Sequence, residues 1–198
     1  MEVTMTDNDK ILEGQLRECF GRVVYSHKTH EKCADILLKH HKCIKFWQII
    51  LSALLTGGLV ATFFDFSSLA EYKKCGTFVA AVLSTVLLAL NSYTKDYDLG
   101  EIAQKHRQAG AELWIIREKY LSLLTDLRLN VESLDKIRTQ RNQLAEDLYA
   151  VYTGAPSTNY KSYVEAQKAL KELEDMTFSD DEIDAFLPKE LKRKLTNN

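Results

Sequence analysis

Four of the chain's five histidines, His27, His30, His40 and His41, lie in one short stretch with Cys33 and Cys43. Imidazole and thiolate are the preferred ligands of zinc, so this cluster first has to be weighed as a metal site. On a helix His27, His30 and His41 would share a face, but none of the compact Cys/His spacings of zinc sites occurs. Side chains of this type beside a packed stripe serve more commonly at a helix interface. A metal sensor or membrane enzyme would have to be built on this cluster alone, because HExxH, GxSxG and a glycine-rich phosphate loop are all missing from the sequence. The expectation is therefore a protein without catalytic residues, metal or cofactor.

Two basic clusters are candidates for anion recognition. "DKIRTQRNQ" brings Lys136, Arg138 and Arg141 together, and "KELKRK" at residues 189–194 includes Lys192 and Arg193. Such runs are usually solvated helix faces. Contact with an anionic lipid surface or a phosphate-bearing ligand is the alternative reading. Direct nucleic-acid binding is not expected from a chain of formal net charge −2.

A third set of polar residues is conspicuous for its surroundings. Gln48, Ser52 and Thr56 follow one another at spacing four inside "KFWQIILSALLTGGLVATFFD", where nineteen residues between Lys45 and Asp65 carry no charge. At 1.5 Å per residue such a helix is about 28 Å long, close to the roughly 30 Å hydrocarbon core of a bilayer. A second run, "CGTFVAAVLSTVLLALNSYT" at 75–94, lies uncharged between Lys74 and Lys95. Two such runs would need apolar helices on every side to be buried in a soluble bundle, and the remaining sequence is too amphipathic to supply them. The mean hydropathy of −0.24 is an average over these runs and their charged surroundings. Two transmembrane helices are expected, at 46–64 and 75–94, joined by a short external loop at 65–74.

Within the spans Ala53, Gly57 and Ala61 form one small-residue stripe, and Gly76, Ala80 and Ser84 form another. Small residues at this spacing allow close helix approach, and neighbouring hydroxyls or amides then bond across the contact. Gln48, Ser52 and Thr56 are accordingly either interhelical glue or the lining of a pore assembled from several copies, since two helices cannot enclose a lumen. Neither span contains Asp, Glu, Lys or Arg, which argues against a proton relay.

Orientation follows from the cations near the span ends. Lys28, Lys32, Lys39, Lys42 and Lys45 precede the first span, and Lys95, Lys105 and Arg107 follow the second, against Lys73 and Lys74 in the loop. This bias places both termini in the cytosol. Phe46, Trp47, Phe63, Phe64, Phe66, Tyr72 and Tyr93 sit where interfacial anchors belong. Cys19, Cys33 and Cys43 then face a reducing compartment, so no disulfide framework is implied. The acidic, polar start "MEVTMTDNDK" argues against a cleaved signal peptide.

The flanking segments read as helices. Leu12, Leu16, Cys19, Val23, His30, Cys33, Leu37 and Ile44 make an amphipathic stripe in the N-terminal segment, 1–45. In the C-terminal region, 95–198, Ile102, His106, Leu113, Ile116, Tyr120, Leu123, Leu127, Leu134, Ile137, Leu144 and Leu148 continue a helical pattern with a bend near "LRLNVES". A loop follows at Pro156, then a short helix in "YVEAQKALKELED", then a last helix opened by a capping box, Ser179 to Glu182, that meets Pro188. The expected fold is an all-α membrane protein: a two-transmembrane hairpin on a cytosolic helical bundle, homo-oligomeric.

This layout, with "WQIILSALLTGGLVATFF", "LYAVYTGAPSTNYKSYVEAQKAL" and "TFSDDEIDAFLPKELK", resembles the SLATT family over nearly all of residues 10–195. These are bacterial two-transmembrane effectors associated with nucleotide-generating and nucleotide-sensing conflict systems. The resemblance implies an antiphage effector of the bacterial inner membrane that oligomerises and permeabilises the bilayer as a pore or channel. Its implied trigger is a cyclic nucleotide or a partner such as a cyclase or reverse transcriptase. A constitutive membrane scaffold that recruits a cytosolic partner through its helices is the competing reading.

Overall fold

The computed structural model describes residues 7–63, 73–188 and 191–193, and every regular element among them is helical. In chain order these are α1 (Asp7–Phe63), α2 (Lys73–Asp96), α3 (Leu99–Leu129), α4 (Leu134–Gly154), α5 (Tyr160–Lys171) and α6 (Asp180–Phe186). The expected external loop lies outside the described residues except for Lys73 and Lys74, which open α2.

α1 is a single helix of 57 residues, about 85 Å long at the α-helical rise. Its first two-thirds belong to a packed head, where α3 runs antiparallel to it. The register is fixed by cross-helix partners whose numbers rise along α1 as they fall along α3: Glu13 with Arg128, His27 with the Gly110 carbonyl, and His30 with His106. Leu12, Leu16 and Val23 of α1 pack with Leu113, Ile116, Tyr120, Leu123 and Leu127 of α3, and Ile137 and Leu144 of α4 complete the core. The core residues of α3 recur at spacings of three and four, which keeps them on one face. α5 lies against α1 and buries Ser162, Ala166 and Ala169.

The bend expected near "LRLNVES" is a complete break that separates α3 from α4. Asn130 adopts a left-handed conformation, φ 51°, and its N–H bonds to the carbonyls of Asp126 and Leu127. The Val131 N–H also reaches Asp126, at 3.2 Å. This pattern satisfies the last carbonyls of α3 and stops the helix, and α4 then folds back over α3. The helix expected in "YVEAQKALKELED" starts earlier, because the Asn159 side chain accepts from the Ser162 N–H and caps it. The capping box at Ser179 and Glu182 is present, and α6 ends before Pro188.

Beyond the head the character of α1 changes. The most apolar 18-residue windows of the two long helical stretches have mean hydropathies of 1.6 and 1.8, and neither is buried at all. Ile49, Leu54 and Leu59 on α1, and Phe78 and Leu88 on α2, are largely exposed. Core helices of a soluble bundle would be covered, so these segments belong in a membrane. Phe46 and Trp47 meet edge to face at 5.8 Å, and Tyr93 and Tyr97 stack at 5.7 Å. All four are exposed at the head end of the spans, where an aromatic belt sits at the lipid–water interface. Phe64, Phe66 and Tyr72, the other expected anchors, lie outside the described residues, as does the side chain of Phe63.

α2 stops at Asp96, and Asp98 restarts the chain as α3 by accepting from the N–H groups of Gly100 and Glu101 at 2.8 and 3.1 Å. Its carboxyl is held below the usual carboxylate range by these two backbone donors. A side chain at Gly100 would crowd that carboxylate at 3.1 Å and the His41 ring at 3.3 Å.

Because Leu113 is fully buried between α1 and α3, Leu113→Ala should lower head stability by about 2–5 kcal/mol. Leu54→Ala, whose side chain faces outward, should leave it unchanged. Chemical denaturation of the full chain in detergent micelles, followed by circular dichroism, measures both.

Candidate functional site

The buried histidines of the head are positioned by the antiparallel register of α1 and α3. His30 Nδ1 and His106 Nδ1 are 2.9 Å apart, and both rings are almost completely buried. A hydrogen bond between two Nδ1 atoms requires one ring to donate and the other to accept, so the two neutral imidazoles hold opposite tautomers at this edge. Protonation of the accepting Nδ1 would place two donors face to face. His30 is accordingly pushed down to about 4, first by burial and then by the charges of His106 and His27. Burial also lowers His106.

His27 points to the same helix but not to the same contact. Its Nδ1 lies 2.8 Å from the Gly110 carbonyl oxygen, its Nε2 lies 3.8 Å from a Glu31 oxygen, and its ring packs on Trp114 at 5.4 Å. His41 is further along α1, beside Gly100. The face shared by His27, His30 and His41 in sequence is therefore divided among separate contacts. Among the described residues no three His, Cys, Asp or Glu side chains are placed to hold a metal ion. His106, the partner that gives His30 its chemistry, was legible only as one more residue of an apolar stripe.

Beside His30 the α4–α5 connection lies against Tyr25, Ser26 and Thr29 of α1. Ser26 Oγ and the Tyr152 hydroxyl are 2.7 Å apart, and the Tyr25 and Tyr163 rings lie 6.1 Å apart at 30°. Asn159, the cap of α5, directs its amide toward the buried Cys33 sulfur at 4.0 Å. Lys28 forms ion pairs with Glu31 at 3.0 Å and Asp175 at 3.1 Å.

In the spans, Gln48, Ser52 and Thr56 take different partners. Gln48 Nε2 donates across to α2, to Asn91 Oδ1 at 3.0 Å and Thr94 Oγ1 at 3.1 Å. Thr56 donates back to the Ser52 carbonyl at 2.9 Å, and the Ser52 side chain is exposed. The small residues Ala53, Gly57, Gly76, Ala80 and Ser84 are also exposed. A Cβ added at Gly57 or Gly76 would meet nothing within 4 Å. These stripes thus make no close contact within one chain, and the Ala61 side chain lies outside the described residues.

The basic clusters are engaged locally. Lys136 pairs with Glu132, and Arg138 with Asp135 at 3.3 Å. Arg141 reaches back to Gln15 of α1 at 2.6 Å. Arg193 pairs with Asp180, and Lys192 is exposed.

The sequence model of the SMODS and SLOG-associating 2TM effector domain family 4 matches residues 12–182. That span takes in the head, both apolar segments and the start of α6. No curated protein and no solved structure matches the chain.

The burial of His30, reinforced by His106, sets a pH dependence whose sign follows from the lowered pKa. The folded state holds His30 near 4, against 6.5 for a free imidazole, so between these values the unfolded chain binds the extra proton. The contribution of His30 to head stability should be constant above about pH 7 and fall as pH drops from about 6.5 toward 4, by an amount on the order of 2–3 kcal/mol. His30→Gln should flatten that fall, read from denaturation midpoints across the pH range.

Proposed function

The chain belongs to the SMODS and SLOG-associating 2TM effector domain family, and from that premise we propose that it is an antiphage effector of the bacterial inner membrane which oligomerises and permeabilises the bilayer. The observation that carries this reading is that no residue of the most apolar stretch of either segment is buried, while the unbroken α1 joins the first of them to a compact head. One copy supplies two spans, and two helices enclose no aqueous path, so permeation requires several copies.

The exposed small-residue stripes suit close contact between copies. Ser52 and Thr56 beside the first stripe and Ser84 within the second are exposed, and in an assembly their hydroxyl oxygens line the path for ions. Gln48 has a different part: its bonds to Asn91 and Thr94 hold the two spans of one copy together at the head end. The spans form a hairpin with both termini cytosolic, which places the head where a nucleotide or partner signal arises. Activation comes from a cyclic nucleotide or from contact with a partner such as a cyclase or reverse transcriptase. Movement of α1 within the head passes directly to the first span, since no loop intervenes.

Gly57→Leu is a clean test, because a side chain there meets nothing inside the chain and any effect has to be intermolecular. The full-length protein in liposomes should release entrapped ions, with flux falling at least tenfold in Gly57→Leu while insertion and head stability persist. Unchanged flux and cross-linking would remove the stripe from the assembly. No flux under any activating condition would favour the scaffold reading.

A further inference from the structure

The α4–α5 connection, α5 and α1 form a half-open cavity of about 320 Å³ in the head, lined by Tyr25, Ser26, Thr29, His30, Tyr152 and Tyr163 together with the segment 155–158. Ser26 of this cavity is nineteen positions before Lys45 in the same helix, so the cavity stands about 28 Å from the start of the first span. It is remote from the small-residue stripes.

The lining has a definite chemistry. Tyr152 and Tyr163 each leave 43% of their surface open, although both sit in a concave site. Ser26, Thr29, Ser157 and Thr158 bring hydroxyls; that of Thr29 donates to the Tyr25 carbonyl at 2.7 Å, so its oxygen meets an occupant as an acceptor. None of the lining residues is Asp, Glu, Lys or Arg. His30 is committed to His106 at its Nδ1 edge, and burial keeps it neutral. A free phosphate or carboxylate would find no cation here, and an aliphatic chain would leave the hydroxyl-rich lining without a matching partner. Open aromatic faces with neutral donors and acceptors suit a flat ring whose edge carries hydrogen-bonding groups. The volume lies at the small end of the roughly 300–1,000 Å³ range of ligand sites, which limits the occupant to one ring system and its immediate substituent.

We propose that this cavity binds the heterocycle of a nucleoside, with the base stacked on Tyr163 or Tyr152 and its edge bonded to Ser26, Thr29 and the 155–158 segment. The site spans three elements, α1, α4 and α5, so an occupant fixes their mutual placement. The Ser26–Tyr152 contact at 2.7 Å ties α1 to α4 across the cavity and closes one wall of the site. This inference rests on the reading that the head receives a small-molecule signal, and it names where and by what chemistry that signal is received. Any phosphate of a larger ligand projects out of the cavity.

Equilibrium dialysis of the full-length protein in detergent micelles tests the proposal with adenosine, guanosine, cytidine, uridine, their 5′-monophosphates and ribose 5-phosphate as probes. At least one nucleoside should bind saturably, its monophosphate should bind within about tenfold of it, and ribose 5-phosphate should not bind. Tyr163→Leu removes a stacking face and Ser157→Trp fills the cavity from an exposed position. Each should weaken binding roughly tenfold or more, Ser157→Trp with the melting temperature unchanged. Two variants are needed because Tyr163 also packs on Tyr25. Absence of saturable binding by all four nucleosides, equal binding of ribose 5-phosphate, or binding that survives both variants would overturn the assignment. Dialysis is independent of ion flux: a protein that conducts but binds no nucleoside loses this proposal and keeps the effector reading, while the reverse result does the opposite.

Discussion

A peptide group that enters a bilayer must bring its hydrogen-bond partner with it, because lipid tails offer none. α1 meets that constraint by remaining one helix for 57 residues. The same backbone hydrogen-bonding pattern serves in water beside α3 and α5 and in lipid beyond Lys45, and only the side chains change. In the head a single stripe is apolar. In the span apolar side chains surround the helix. The transition is marked by the aromatic belt and by the bonds from Gln48 to Asn91 and Thr94, which satisfy polar groups at the edge of the hydrocarbon.

The continuity of α1 decides how the head is built. α3 and α5 pack directly on it and α4 on α3, so the head is a sleeve around the aqueous part of a membrane helix. The ends of the α1–α3 contact are held by charge, with Glu13 accepting from both Arg128 Nε and Nη2 at 3.0 and 2.7 Å. That pairing keeps the Glu13 carboxyl below its ordinary range, the hydrogen bond from Arg128 contributing most. The middle is held by neutral contacts: an apolar core, the His27–Gly110 bond and the His30–His106 pair. Charge at the rim and neutrality at the centre follow from the cost of burying an unpaired ion.

The sequence was most informative where one physical signal dominated. Charge exclusion over two long runs marked both spans, and spacings of three and four marked Leu12, Leu16, Val23, His30 and Cys33 as the packed stripe of α1. Terminal boundaries set by side-chain caps, such as Ser179 with Glu182, were also legible. The α3–α4 break read only as a bend, because its cause is the left-handed backbone of Asn130, a conformation that asparagine tolerates but does not announce. Pairings across the fold were invisible: His30 and His106 are 76 residues apart in the chain, and the cavity wall gathers α1, α4 and α5. The basic clusters were legible as runs of cations, but their partners Glu132, Asp135, Gln15 and Asp180 could be assigned only once the helices were placed.

The central claim is that the two apolar segments cross a membrane while the head stays on one side, and the chain carries its own probes for it. Cys43, just before the first span, and Cys75, at the start of the second, are both exposed thiols. A membrane-impermeant, polymer-tethered maleimide applied to right-side-out and inverted vesicles, with the modified cysteines located by mass spectrometry, reads each face separately. The account predicts that Cys75 reacts in right-side-out vesicles and Cys43 in inverted ones. Modification of both thiols from the same face would contradict it, because the segment between them would then not cross the bilayer.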